Sequence, residues 1–235
     1  QPLAAGVPEP IPFSELGAKV SDQYKGDAVR VIATAEGAHL HTGFQQLDAR
    51  VTSEGLALFS LEEERGSLRL VSSAYGRGGT MQQLASAGAI TIDDQVVRYT
   101  RPNITEEYSV SADGVRQDFV VMERPVGSGE LRLHLDLEGA VARSVPEGAL
   151  LTLAGSGREL AYTRLHVTDA RGEEMTASME VLDEDQLVIS VADAMAEYPV
   201  RIDPTFSDAD WTCINVSGGT PGTDGTVTAM ASDGA

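Results

Sequence analysis

From Ala28 onward the chain alternates apolar and polar residues with a period of two. Val29 and Val31 flank Arg30, and Leu68 and Leu70 flank Arg69. The longest run sets Leu131, Leu133, Leu135 and Leu137 against Arg132, His134, Asp136 and Glu138. Successive side chains of an extended strand point to opposite faces, so this run predicts a strand half-buried against a core. Met175, Ala177, Met179 and Val181 repeat the pattern, as do Leu187, Ile189 and Val191. Turn chemistry separates the runs at Asp113-Gly114, at Arg171-Gly172 and at residues 127–129, 155–157 and 183–185; the two Gly-Ser-Gly segments are read as hairpin loops. Strands recurring every 10–15 residues without intervening helices favour antiparallel sandwiches over a βαβ sheet.

Two segments depart from this period. Phe13, Leu16, Val20 and Tyr24 recur at near-helical spacing with Gly26 as a stop, which predicts one short amphipathic helix lying across a sheet. Met81 to Ala85, after a glycine-rich stretch, is read as a single helical turn. The predicted fold is all-β, with antiparallel β-sandwich units, two in tandem, and that one N-terminal helix. Residues 1–12, with Pro2, Pro8, Pro10 and Pro12, read as an extended leader. Residues 13–88 form the first unit and 89–204 the second, while 205–235, rich in Gly, Thr, Ser and Asp, form a linker and the start of a repeat region.

Composition narrows the function. With 42% apolar residues and 235 residues in all, the chain can bury a core, although aromatics are only 5% and aliphatics must fill it. The net charge of −19 repels nucleic acid and anionic lipid, both of which require clustered Lys and Arg. No run approaches the roughly 18 apolar residues of a membrane-spanning helix. The single cysteine, Cys213, rules out a disulfide framework and a multi-cysteine metal site. The opening Gln1-Pro2-Leu3-Ala4 reads as a mature end left by removal of an export signal, and hence as extracellular or cell-surface.

Several motifs of the second half carry a resemblance. They are residues 114–121 (GVRQDFVV), Arg124-Pro125, residues 129–133 (GELRL), 160–165 (LAYTRL) and 168–172 (TDARG), and the closing 198–204 (YPVRIDP). Together they resemble the β-rich module found directly upstream of β-propeller-type repeats, of the FG-GAP or SBBP-like kinds, in large exported bacterial proteins. Trp211, Gly218-Gly219, Gly222, residues 224–230 and Asp233-Gly234 look like the opening of a first repeat. The resemblance covers about residues 100–235. It implies a surface-attached role with propeller repeats downstream, and it brings no catalytic residues. At Tyr198-Pro199 the missing N–H predicts an edge or a bulge, and Asp203-Pro204 is expected to stop pairing and turn the chain out.

No constellation names a reaction. His39 and His41 share one strand face, but a Zn²⁺ or Cu²⁺ site needs a third and fourth ligand, and none is identifiable nearby in sequence. His134 and His166 each stand alone. The two Gly-Ser-Gly segments are too short for a nucleophile turn. Cys213 has no histidine close to it and no electropositive setting. Asp203, Asp208 and Asp210, with Asp93-Asp94 as a second cluster, supply oxygen donors; Asp208 and Asp210 are the candidate calcium ligands, although neither cluster forms an EF-hand loop. Asn103 and Asn215 open formal glycosylation triplets, coincidental in a bacterial chain.

The sequence is thus expected to encode a non-catalytic structural or adhesive module of an extracellular or surface-attached bacterial protein. It would space, anchor or assemble that protein, with edge-strand pairing as one route. Its expected partners are other copies of itself, surface components or glycans. A carbohydrate-binding module is the alternative, weakened by the thin supply of exposed aromatics. A hydrolase with dispersed carboxylates comes third, since it would need two carboxyls facing one bond.

Overall fold

The computed structural model describes residues 27–209, and these build two antiparallel sheets over one apolar interior. The first sheet begins with a meander: β1 (Val29–Thr34), β2 (Gly37–Thr42), β3 (Leu47–Thr52), β4 (Gly55–Ser60) and β5 (Ser67–Arg77), with β6 (Thr80–Gln83) folded back on β5. The chain then crosses to the second sheet for β7 (Ala89–Asp93), β8 (Val96–Arg101), β9 (Ile104–Ser111) and β10 (Gly114–Val121). It returns to the first sheet for β11 (Leu131–Glu138) and crosses again for β12 (Ala140–Val145), β13 (Gly148–Leu153) and β14 (Glu159–Thr168). Finally β15 (Ala177–Asp183) and β16 (Gln186–Val191) complete the first sheet, and β17 (Val200–Asp208) enters the middle of the second.

Along the first sheet the order is β1-β2-β3-β4-β5-β11-β16-β15; along the second it is β12-β13-β14-β17-β10-β9-β8-β7. The seams β5·β11 and β10·β17 join an N-terminal half, β1–β10, to a C-terminal half, β11–β17, so each half contributes to both layers. The all-β antiparallel architecture expected from the alternation is what the structure has. The position 88/89 marks the passage from one layer to the other, and residues 122–130 carry the chain from one half to the next.

Period-two burial produces this core. In β11 all four leucines are buried, and their polar neighbours lie on the outer face. Each buried Leu gains about 1.5–3 kcal/mol relative to exposure. Tyr99, Tyr108, Phe119, Tyr162 and Phe206 sit deep, and Tyr162 stacks on Phe206 with ring centroids 4.1 Å apart.

The two ends of the sandwich differ. At the β12/β15 end, Ala142 N–H donates to the Glu184 carbonyl at 2.7 Å and Val181 N–H to Ser144 Oγ at 3.3 Å. Strand β15 also carries a register irregularity between Val181 and Asp183. At the opposite end β1 and β7 are the outermost strands among the described residues, and each pairs with its neighbour there without a register shift.

Four expectations are corrected. Met81–Ala85 is not a helical turn, because Gly78, at φ 51°, closes a tight turn that commits Thr80–Gln83 to pair with Ala74–Arg77. Residues 127–129 are not a hairpin loop: both sides of β10 are taken, by β9 and β17, so the chain must cross to the other sheet. Asp203-Pro204 does not turn the chain out, since β17 runs through it to Asp208. Strand β14 is irregular between Thr163 and His166, with Arg164 at φ 59°, beside the position where Pro204 lacks an N–H. Nor is the strand opened by Tyr198-Pro199 an edge; Pro199, after a cis bond, precedes a strand flanked by β14 and β10. The predicted helix of residues 13–24 lies outside the described residues.

Candidate functional site

The polar side chains gather in four places, each positioned by strand phase. The first is inside the core. Val97, Tyr99 and Arg101 of β8, and Ile104, Glu106 and Tyr108 of β9, are the buried, inward positions of their strands. Glu106 is 2% exposed and pairs with Arg101. It also accepts from Ser72 Oγ at 2.6 Å, Tyr108 Oη at 2.6 Å and Gln117 Nε2 at 2.9 Å. Gln117 in turn accepts from Tyr162 Oη at 2.9 Å. Burial, followed by the Glu106 charge, pushes the Tyr108 phenol well above its ordinary pKa. The sequence reading missed this network, although an acid and an arginine at apolar-phase positions were the signal.

The second gathering lies on the outer face of the second sheet. Arg98 binds Asp93 at 3.1 Å and Glu107 at 2.7 Å; Arg201 binds Glu107 at 2.8 Å and also Asp118. Arg116 contacts Asp118 at 2.7 Å and Asp203 at 2.5 Å. Burial, then the negative Asp118 with which it hydrogen-bonds, raises the Asp203 carboxyl to about 7 against the pull of Arg116. The Asp118–Asp203 pair is thus roofed by arginines.

The third is at the strand ends around a 3-10 turn, Gly43–Gln45. Gly43 N–H donates to the Ala28 carbonyl at 2.7 Å, and Gln45 Oε1 accepts from the Asp208 N–H at 2.8 Å. Arg158 is buried across this end. Its guanidinium donates to the Gln45 and Gln46 carbonyls at 2.8 and 2.9 Å, to Ser60 Oγ at 2.9 Å and to Asp208 Oδ2 at 2.6 Å. Beside it opens a shallow groove of about 420 Å³, rimmed by Glu62, Glu63 and Glu64.

The fourth is at the opposite strand ends. Asp193 is buried between Arg77, Arg124 at 3.5 Å and Tyr198 Oη at 2.5 Å, while Arg124 also donates to the Ala196 carbonyl at 2.8 Å. Close by, Asp169 accepts backbone N–H bonds from Arg171 at 2.8 Å and from Glu173 and Glu197 at 3.0 Å each. Those bonds, that of Glu197 first, hold its pKa down to about 2.

The sequence-predicted candidates fall differently. Asp208 pairs through its carboxylate with Arg158, while Asp210 and Cys213 lie outside the described residues. Asp203 is in the outer-face ladder and Asp93 is bonded to Arg98, separate from Asp208. His39 and His41 do share a face, and the cross-strand Asp48 binds both, at 3.0 and 2.7 Å. Among the described residues no group of three His, Cys, Asp or Glu side chains is arranged to hold a metal ion. His134 stays on the outer face of β11, its pKa lowered by partial burial and then by Arg132. His166 faces Glu174 at 3.8 Å. Ser156 sits in the β13–β14 hairpin, as expected for that loop, and Ser128 in the crossover. Among the described residues no helix is long and apolar enough to cross a membrane.

No protein-family model matches the chain, and no curated protein or solved structure shows significant similarity to it.

Proposed function

We propose that this chain is a non-catalytic structural module of an extracellular or surface-attached bacterial protein, which it spaces and helps to assemble. The observation that carries this reading is the state of the ionic side chains. The Glu106 and Asp193 clusters lie buried with their charges turned onto one another, Arg158 is buried against the Asp208 carboxylate, and each ties together strands distant in sequence. Such networks specify one rigid arrangement. A reaction centre instead presents ionisable groups to an open pocket. The resemblance to modules upstream of propeller-type repeats supports the extracellular placement and implies that repeats follow the module.

The test is location and load-bearing together. Antibody raised to the chain should label intact source cells or their secreted fraction, and the isolated chain should be inert across panels of ester, peptide and glycoside substrates. Labelling only after lysis, or turnover abolished by substituting Glu62–Glu64 at the acid-rimmed groove beside Arg158, would replace this reading with an intracellular or enzymatic one. Binding on a glycan array would favour the carbohydrate-binding alternative.

A further inference from the structure

We propose that the β1/β7 end of the sandwich is a self-association surface, on which β1 of one copy lies along β7 of a second. The inference rests on the reading of the chain as an assembling module and names the partner. Edge strands present unpaired backbone N–H and C=O groups, and proteins commonly blunt them with Pro, Lys, bulges or a covering segment. The β12/β15 end has such devices: the two sheets are laced by the Ala142–Glu184 and Ser144–Val181 hydrogen bonds, and β15 is irregular. Neither β1 (VRVIAT) nor β7 (AITID) contains Pro or Lys, and neither departs from register. Both carry an exposed isoleucine, Ile32 at 43% and Ile92 at 37%.

Charge decides which strands meet. Strand β1 has one charged residue, Arg30, and β7 has one, Asp93, whose carboxylate meets Arg98 at 3.1 Å and is otherwise exposed. Laid antiparallel in full overlap, β1 against a second β1 sets Arg30 opposite Ala33, and β7 against β7 sets Asp93 opposite Ala89, so neither like pairing matches a charge with its opposite. Pairing β1 with β7 joins opposite signs. Strand phase agrees, because Val31 and Ile90 pack on the core. Val31 and Ile92 are therefore on the interior side and Arg30 and Asp93 on the exterior side of their sheets. Since both strands end their sheets on the same side of the sandwich, a two-fold axis there forms the β1–β7 contact twice, in a closed dimer.

Light scattering after gel filtration, with the full chain over a wide concentration range, tests this. The expected mass is twice that of the 24.8 kDa chain. Arg30→Glu and Ile92→Lys should each return it to monomer with unchanged circular dichroism, and Arg30→Glu combined with Asp93→Arg should recover the dimer. Hydrogen exchange of the β1 and β7 amides should slow as concentration rises. A monomer at every concentration overturns the proposal, as does a dimer indifferent to these substitutions. Concentration-independent protection of β1 in a monomer overturns it too, and assigns the edge to residues 1–26 of the same chain. A monomer that is inert and found at the cell surface would sink the self-association alone; an intracellular or catalytic chain would sink the module reading whatever its mass.

Discussion

Gln45 holds Asp208 by its backbone: the Asp208 N–H donates to Gln45 Oε1 at 2.8 Å, while Gln45 Nε2 donates to the Ala112 carbonyl at 2.7 Å. One buried amide thus fastens the last strand and the β9–β10 turn to the 3-10 turn. Replacing it with leucine leaves a donor and an acceptor without it, each worth about 1–3 kcal/mol when stranded in the interior. Gln45→Leu should therefore lower the urea midpoint by an amount equivalent to roughly 2–4 kcal/mol. A change under half a kcal/mol would show that water replaces the amide.

The buried Arg101–Glu106 pair yields a sharper contrast. Glu106→Leu leaves a guanidinium uncompensated in the core and should cost about 3–5 kcal/mol in equilibrium unfolding. Removing both charges, as Arg101→Met with Glu106→Leu, should restore most of that loss, because the desolvation of both ions is relieved together. If the double variant is as unstable as the single one, the surrounding Ser72, Tyr108 and Gln117 bonds, not the charge pair, set the stability.

Asp203 predicts an unusual pH dependence. Its folded pKa, raised to about 7, exceeds that of an unfolded aspartate, about 3.9, so the folded state holds a proton that the unfolded state releases. Stability from this group is full below about pH 4, falls as pH rises toward 7 and levels off above. Asp203→Asn should raise Tm at pH 8 more than at pH 4. A carbon-13 titration of the Asp203 carboxyl with a midpoint near 4 would refute the assignment.

Asp169 acts in the other direction. Its pKa, lowered to about 2, lies below the unfolded value, so its contribution is present above about pH 4 and is lost as pH falls through 2. Asp169→Ala should speed hydrogen exchange at the Glu173 and Glu197 amides and narrow the difference in Tm between pH 7 and pH 2. Unchanged exchange at both amides would mean that the loops are held by other contacts.

Much of the fold was legible because it rests on a two-residue rhythm. The leucines of β11 and the apolar positions of β15 and β16 are inward as their spacing required. What the rhythm does not encode is which sheet a strand joins. The crossover at residues 127–129 looks like any glycine-rich turn, and only the occupied flanks of β10 make it a crossing. Pro204 read as a terminator because its missing N–H is local, whereas the irregularity in β14 that accommodates it lies some 40 residues earlier (204 − 164 = 40). The candidate site was least legible. Asp208 meets Arg158 only once the chain is folded, and Asp48 reaches His39 and His41 only through strand pairing.

The 3-10 turn brings Ala28 and Asp208 to the same end of the body, yet those residues belong to strands in contrasting positions. Tension applied through them would open β1 from its single neighbour one hydrogen bond at a time, like a zip. The same force would meet β17 bonded on both flanks, where two ladders must part together. Under mechanical load the protein would yield first at its N-terminal strand while its C-terminal strand stayed anchored.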